Sequence, residues 1–574
     1  MAENQFLEIA NAAWKAGRRR LAGELFSMPL YRKMALRFPV TKPPQCDLPR
    51  LIEADPQKGA ALVQGDFFLA GMVSHFDDTR ELWTKPVPSR RFAARLHEFG
   101  WLHDLLSVDS QQANMLAGEH IDHWVQIYGQ WNPFSWTPGI AARRCLNWLS
   151  FGTYFLGESP QGKTRRECLI RQITYLHSLS DIASDTRDRL QIAMAVVTAG
   201  AMVPGATQFM ERGLALLSVQ LAEQILPDGG HISRNPEMAT LTLCDLVSLK
   251  KILKTQHLPV PDDLQKALAR LAPMVRFLCA ADGHLSAFNG GGEGHTLTTK
   301  RVLRALSIPE SAFTYAPHSG YQRVKTDASV LIMDTGRAPP ERFSQSAHAG
   351  ALALELSTPG GRLIVNCGWS EDQPDQWHLA VRTSAAHSTL VINDTSSAQI
   401  RSFGLRSALL GPRLRQRGLA NPSRRKLEPG KGTHLEASHG GYLHRYGLIH
   451  HRQVLVSEDG NTISGEDRVF RPRDIQKTSG PVSLNCALRF HLHPKVRSSF
   501  ARDQSQMLLI LPDGTGWRFH CPTGQIELQP SVYLAAGAPP QRTQQLVVQH
   551  SMNTQSDITD PQNLIQWSIE RVQG

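Results

Sequence analysis

What the chain lacks narrows its function first. In 574 residues no apolar run reaches the roughly 18–20 positions that cross a bilayer. The longest candidate, residues 190–204, is short and broken by Gln191. A membrane-spanning helix is excluded. The first residues do not read as a secretory leader, because Arg18, Arg19 and Arg20 come late and Gly23, Glu24, Ser27 and Pro29 interrupt the apolar stretch after them. The expected location is therefore cytoplasmic, or periplasmic if a leader has been removed. The eight cysteines are scattered and form no C-x-x-C pair, which excludes a zinc ribbon and a dense disulfide scaffold. No G-x-G-x-x-G and no Walker lysine accompanies the glycines of residues 282–293, so nucleotide binding is not expected.

Hydrophobic residues make up 41% and charged residues 20%, an ordinary globular balance. The formal net charge is +11, which favours acidic partners without naming one. From about residue 90 to 310 apolar positions recur at three- and four-residue steps, as in Ile140, Ala141, Cys145, Trp148 and Leu149. After about residue 318 the period becomes two, with short runs such as Ser329 to Asp334 and Met507 to Leu511 parted by Gly-containing turns. The pattern predicts helices followed by an antiparallel β-sandwich, with the change near residues 315–319. Residues 1–89 read as a partly helical extension, 90–317 as a helical domain and 318–574 as the sandwich.

Four segments, in order, resemble the heparinase II/III family. They are Leu226-Pro-Asp-Gly-Gly-His-Ile-Ser-Arg-Asn-Pro236, Ser346-Ala-His-Ala-Gly350, Ile364-Val-Asn-Cys-Gly368 and Thr383-Ser-Ala-Ala-His-Ser-Thr-Leu-Val391. The resemblance implies an incomplete α/α toroid followed by an antiparallel β-sandwich, and β-elimination on uronic-acid polymers. It also shows departures. Ser346 stands where the family has the first His of a His-x-His pair, Gly350 where it has Asp, and Asn366 where a strand carries Asp. Glu237, Met238 and Ala239 follow Pro236 where a Tyr-His often stands.

A lyase removes the C5 proton of a uronate and expels the 4-linked oxygen. That proton becomes acidic once the neighbouring carboxylate is neutralised, and a base and an acid must then handle protons. Asn235 and Arg234 are the expected carboxylate clamp. His231, on the same loop, and Tyr446, on a later strand, are the expected proton carriers. The alternatives are that the loop merely caps the next helix and that Tyr446 is core packing. His348 and His387 match positions that hold zinc in some relatives, with Asn366 third; a hydrogen-bonded core pair is the other reading.

Trp131, Trp136, Arg143 and Arg144 could stack on sugar rings and bind carboxylates, or serve as helix core. Nine basic residues against the single acid Glu428 in residues 401–431 suit an anionic polymer or simple solubility. The expected partner is thus an acidic polysaccharide, with no nucleic acid and with a homo-oligomer open. Uronate lyase is the leading function. A non-catalytic anionic-glycan binder and a uronate C5-epimerase are the alternatives.

Overall fold

The computed structural model describes residues 2–30, 42–179, 188–308, 313–401, 413–415, 423–426, 431–472, 483–501, 506–535, 537–555 and 557–572. The chain forms two compact units. The first comprises Met1–Ile225 and Leu241–Ala269, and the second holds Leu226–Thr240 and most of the chain from Arg270 onward.

Among the described residues the regular structure of the first unit is helical apart from one hairpin, Asp66–Leu69 with Met72–His75. Its helices begin on side-chain caps where the sequence supplies them. Ser89, Ser110 and Ser159 each accept a backbone N–H of the first turn, satisfying donors that have no intrahelical partner. Pro138 and Pro160 stand in first turns, where a missing N–H costs nothing. An aromatic cluster of Trp83, Phe99, Trp124 and Trp148, all buried, fills the middle.

The described residues of the second unit carry two large antiparallel sheets and a small pair, Gln399–Arg401 with Arg413–Arg415. One orders the strands Gln525–Tyr533, Gln541–Asn553, Ser483–Leu492, Gly361–Val365, Leu354–Thr358, Val330–Asp334, Tyr321–Lys325 and Tyr315–Ala316, with Leu390–Ile392 paired to Ser483–Leu492. The other orders Ser423–Lys426, Thr433–His439, Ile449–Val456, Thr462–Phe470, Leu564–Arg571, Gly516–His520, Gln506–Ile510 and Arg497–Phe500. Alternate residues of both meet in one core, with Leu331, Leu354, Leu356 and Phe490 against Val454, Ile463, Trp517 and Trp567. This is a β-sandwich.

Secondary structure does change between the helix Thr296–Ala305 and the strand Tyr315–Ala316. The compact units divide earlier. Leu226–Thr240 and the residues from Arg270 onward pack with the strands, because Asp228 and Arg234 bond to them directly. Part of the basic run, residues 402–412, 416–422 and 427–430, lies outside the described residues.

Candidate functional site

The loop 226–236 leaves the helix Met210–Gln224 and closes on itself through Leu226 N to Gly230 O, 2.8 Å. Gly229 has φ +89°, and a Cβ there would fall 2.0 Å from Arg270 O, so only glycine fits. The Asp228 carboxylate accepts the backbone N–H groups of Gly230, His318 and Ser319 and the Ser319 hydroxyl. Every lone pair it has is used to fix the loop.

His231 is buried. Its Nδ1 accepts the Ser233 backbone N–H at 3.2 Å, which puts the ring proton on Nε2. Arg234 sits at φ +59°, a backbone state that costs a non-glycine residue free energy unless its surroundings hold it there. They do. Its guanidinium donates to Ser319 O, Arg337 O and Gly320 O, pairs with Asp334 and stacks over the Tyr321 ring at 4.8 Å. The Tyr321 hydroxyl returns a bond to Arg234 O at 2.5 Å, and Asn289 Nδ2 donates to both Tyr321 and Asp334. Arg234 is therefore not free to clamp a substrate carboxylate. The expectation fails because a fully desolvated guanidinium needs its own counter-ion, and Asp334 is that ion.

Asn235 caps the helix Pro236–Thr255. Its Oδ1 accepts Met238 N at 2.9 Å, while its Nδ2 makes no hydrogen bond among the described residues. Next to it run Gly290, Gly291 and Gly292. A Cβ on Gly291 would fall 2.6 Å from Asn235 Oδ1, one on Gly290 2.4 Å from Ser346 O, and one on Gly292 2.4 Å from Trp369 O. Three glycines thus let one strand of backbone pass between the Asn235 loop and the Ser346 segment. Asn289 ties the two further, its Oδ1 lying 3.5 Å from His348 N.

His348 and His387 face each other with ring centroids 5.1 Å apart. Both are buried, and all four ring nitrogens lack a hydrogen-bond partner among the described residues. Burial pushes both below the ordinary imidazole range, His387 to about 4, so each ring is neutral near pH 7. Gly350 packs closely here, since a Cβ would stand 3.1 Å from the His387 ring and the ring would have to give by a few tenths of an ångström. An aspartate at 350 would press on that ring.

Asn366 is buried and wholly committed. Its Nδ2 donates to Glu355 Oε1 at 3.1 Å and to Ala287 O, and its Oδ1 accepts Ser388 N at 3.0 Å. Glu355 also accepts the backbone N–H groups of Ala287 and Asn366, and burial raises its pKa. Zinc requires three or four donors. The described residues contain no group of three His, Cys, Asp or Glu placed for a metal, and Asn366 cannot be the third ligand while held this way. The residues present do not fit a structural zinc.

The remaining candidates divide. Trp136 is buried in the first unit, its indole N–H donating to Tyr128 O at 2.8 Å. Arg144 is fully buried, bonded to Gln172, His97 O and Ser135 O and stacked over Trp124 at 4.1 Å. Neither can reach a sugar. Trp131 is half-buried against Gly23, and Arg143 is half-buried with Nη1 3.9 Å from Glu98. Tyr446 lies in the single-turn helix Leu443–Tyr446, not on a strand. Its hydroxyl is 2.8 Å from Thr395 Oγ1, and its ring packs on the sandwich core. Asp334, Asn289, Tyr321 and Glu355 escaped the reading from sequence. The signal available was an acid set among apolar strand residues, at Asp334 and Glu355.

Residues 308–568 match the family described as heparinase II/III-like, C-terminal. A full-length relative is FtsZ-localized protein C of Caulobacter vibrioides, 31% identical over 575 residues and covering 98% of this chain and 96% of its own. The chain belongs to the heparinase II/III-like family. Its fold is that of heparinase III, with a TM-score of 0.68 at 15% identity, covering 98% of this chain and 92% of the other. Heparan sulfate lyase HepC from Pedobacter heparinus matches at TM-score 0.57 and 13% identity, covering 95% and 87%. The family's helical toroid and β-sandwich are thus both present. Among the described residues no helix is long and apolar enough to cross a membrane.

Proposed function

We propose that this heparinase II/III-fold protein associates with the FtsZ division machinery and does not cleave glycans. One observation carries the loss of cleavage. Ser346 occupies the position of the family's first imidazole, and a serine hydroxyl cannot take up a C5 proton at neutral pH. The remaining machinery agrees: Arg234 is tied to Asp334, and both His348 and His387 are enclosed. The association with FtsZ rests on the name of the relative that matches this chain from end to end. Two measurements test the reading. A panel of uronate polysaccharides should yield no ultraviolet-absorbing unsaturated ends. A fluorescent fusion should form a midcell band that disperses when FtsZ is depleted. Unsaturated product, or a fusion indifferent to FtsZ, would overturn the corresponding half.

The second reading is an acidic-polysaccharide lyase, and it has one observation in its favour. Asn235 holds an unspent amide N–H beside His231 on one loop, which is what a uronate carboxylate requires. In that reaction a base removes the C5 proton, the C4–O bond breaks with its electrons leaving on oxygen, and the C5 electron pair becomes the C4=C5 bond. An acid then protonates the leaving oxygen. His231 and Tyr446 would share these transfers. If product appears, His231→Ala should lower its rate by about 10²–10⁴-fold.

A further inference from the structure

The loop 226–236 also walls an open cavity of about 460 Å³ within the second unit, whose lining includes neither His231 nor Asn235. Its size falls in the range of about 300–1,000 Å³ typical of ligand sites. The walls are apolar and stiff: Leu226, Ile232, Pro317 and Pro339. Fixed proline dihedrals mean that little ordering is left for a ligand to impose.

The charges around it are unequal. Asp334 is consumed by Arg234, and Asp228 by three backbone N–H groups and a hydroxyl. At the cavity's edge Arg337 and His318 are exposed, and the Arg337 guanidinium has no hydrogen bond or ion pair among the described residues. The local acids are spent and a cation is not. The backbone offers little more, since Gly320 O is taken by Arg234 and Thr335, and Gly336 N by Asp334. A ligand here meets aliphatic walls and a positive rim, with no Trp, Tyr or Phe face and no side-chain carboxamide for sugar hydroxyls among the described lining residues.

We propose that this cavity binds a short peptide segment in which apolar side chains adjoin a carboxylate. The apolar part displaces water from the prolines and aliphatic side chains, and the carboxylate takes two N–H groups of Arg337 in fork geometry. This holds whether or not the protein cleaves glycans.

The test uses the full-length protein and a fluorescein-labelled hexapeptide of leucine and proline ending in a free aspartate, read by fluorescence anisotropy. Saturable binding is expected, and the same peptide ending in asparagine amide, which carries no carboxylate, should bind at least about tenfold more weakly. Arg337→Glu should weaken the acidic peptide by at least about tenfold with an unchanged melting temperature, and Arg337→Lys should recover part of that loss. Three results would overturn the proposal: no saturable binding, equal affinity in Arg337→Glu, or displacement of the peptide by glucuronate at lower concentration than by unlabelled peptide. The last would make the cavity an acidic-sugar site.

Discussion

Arg234 and the His348–His387 pair are both buried, polar and contained in motifs that carry the family resemblance, yet they are treated in opposite ways. Around Arg234 the donors meet acceptors: Asp334, three carbonyls and an aromatic face. Around the histidines four ring nitrogens find no hydrogen bond among the described residues. A buried charge must be matched or it cannot remain, whereas a neutral imidazole can lose its partners and survive at a cost of about 1–3 kcal/mol per unsatisfied group. The first region therefore reads as scaffold. The second reads as a neutral pair held by packing, with Asn366 and Gly350 beside it supplying no acid.

The sharpest way to break this contrast is to cut the ion pair. Arg234→Met should destabilise the protein by about 3–5 kcal/mol, because Asp334 is left buried and uncompensated; chemical denaturation measures it. An effect under about 1 kcal/mol would mean the pair is not scaffold.

A pH titration should show the second-largest effect. His387 has a folded pKa of about 4 against about 6.5 unfolded, so the unfolded chain binds more protons between those values. Stability should be intact above pH 6.5, fall as the pH drops toward 4, and lose no more from this group below that. The span is about 3 kcal/mol. A His387→Phe variant should show a shallower acid slope than the parent in the same denaturation series.

Asn366→Asp should cost about 1–3 kcal/mol near pH 7, since it removes both Nδ2 bonds and sets a second carboxylate against Glu355. Added zinc should recover little of that loss in thermal melting if the donor set is wrong for the metal. The smallest effect belongs to His387→Phe at pH 7, expected within about 1 kcal/mol of the parent or slightly stabilising, because no hydrogen bond of the described residues is removed. A large loss there would indicate a ligand or metal on the ring.

The fold was legible because its signal is local. The shift from a 3.6 to a 2 period needs only neighbouring residues, and Ile140, Ala141, Cys145, Trp148 and Leu149 all fall in the helix Pro138–Leu149. Arg144 was also decidable, lying three and four positions from Ile140, Ala141 and Trp148 on the buried face. The role of Arg234 was not. Its counter-ion lies 100 residues away on another strand, and no spacing rule connects them. Tyr446 was misplaced for a related reason: Gly447, in a left-handed conformation at φ +69°, ends a helical turn before the strand Ile449–Val456 begins.

The run Gly290 to Gly292 has a consequence for how the family can vary. Because each of its three Cα atoms abuts a different neighbour, the loop, the Ser346 segment and Trp369, it works as a feeler gauge set to the thickness of bare backbone. A substitution in either flanking segment that keeps these glycines leaves the gap as it is. The distance between the two segments is thus set by backbone alone and does not depend on which side chains they carry.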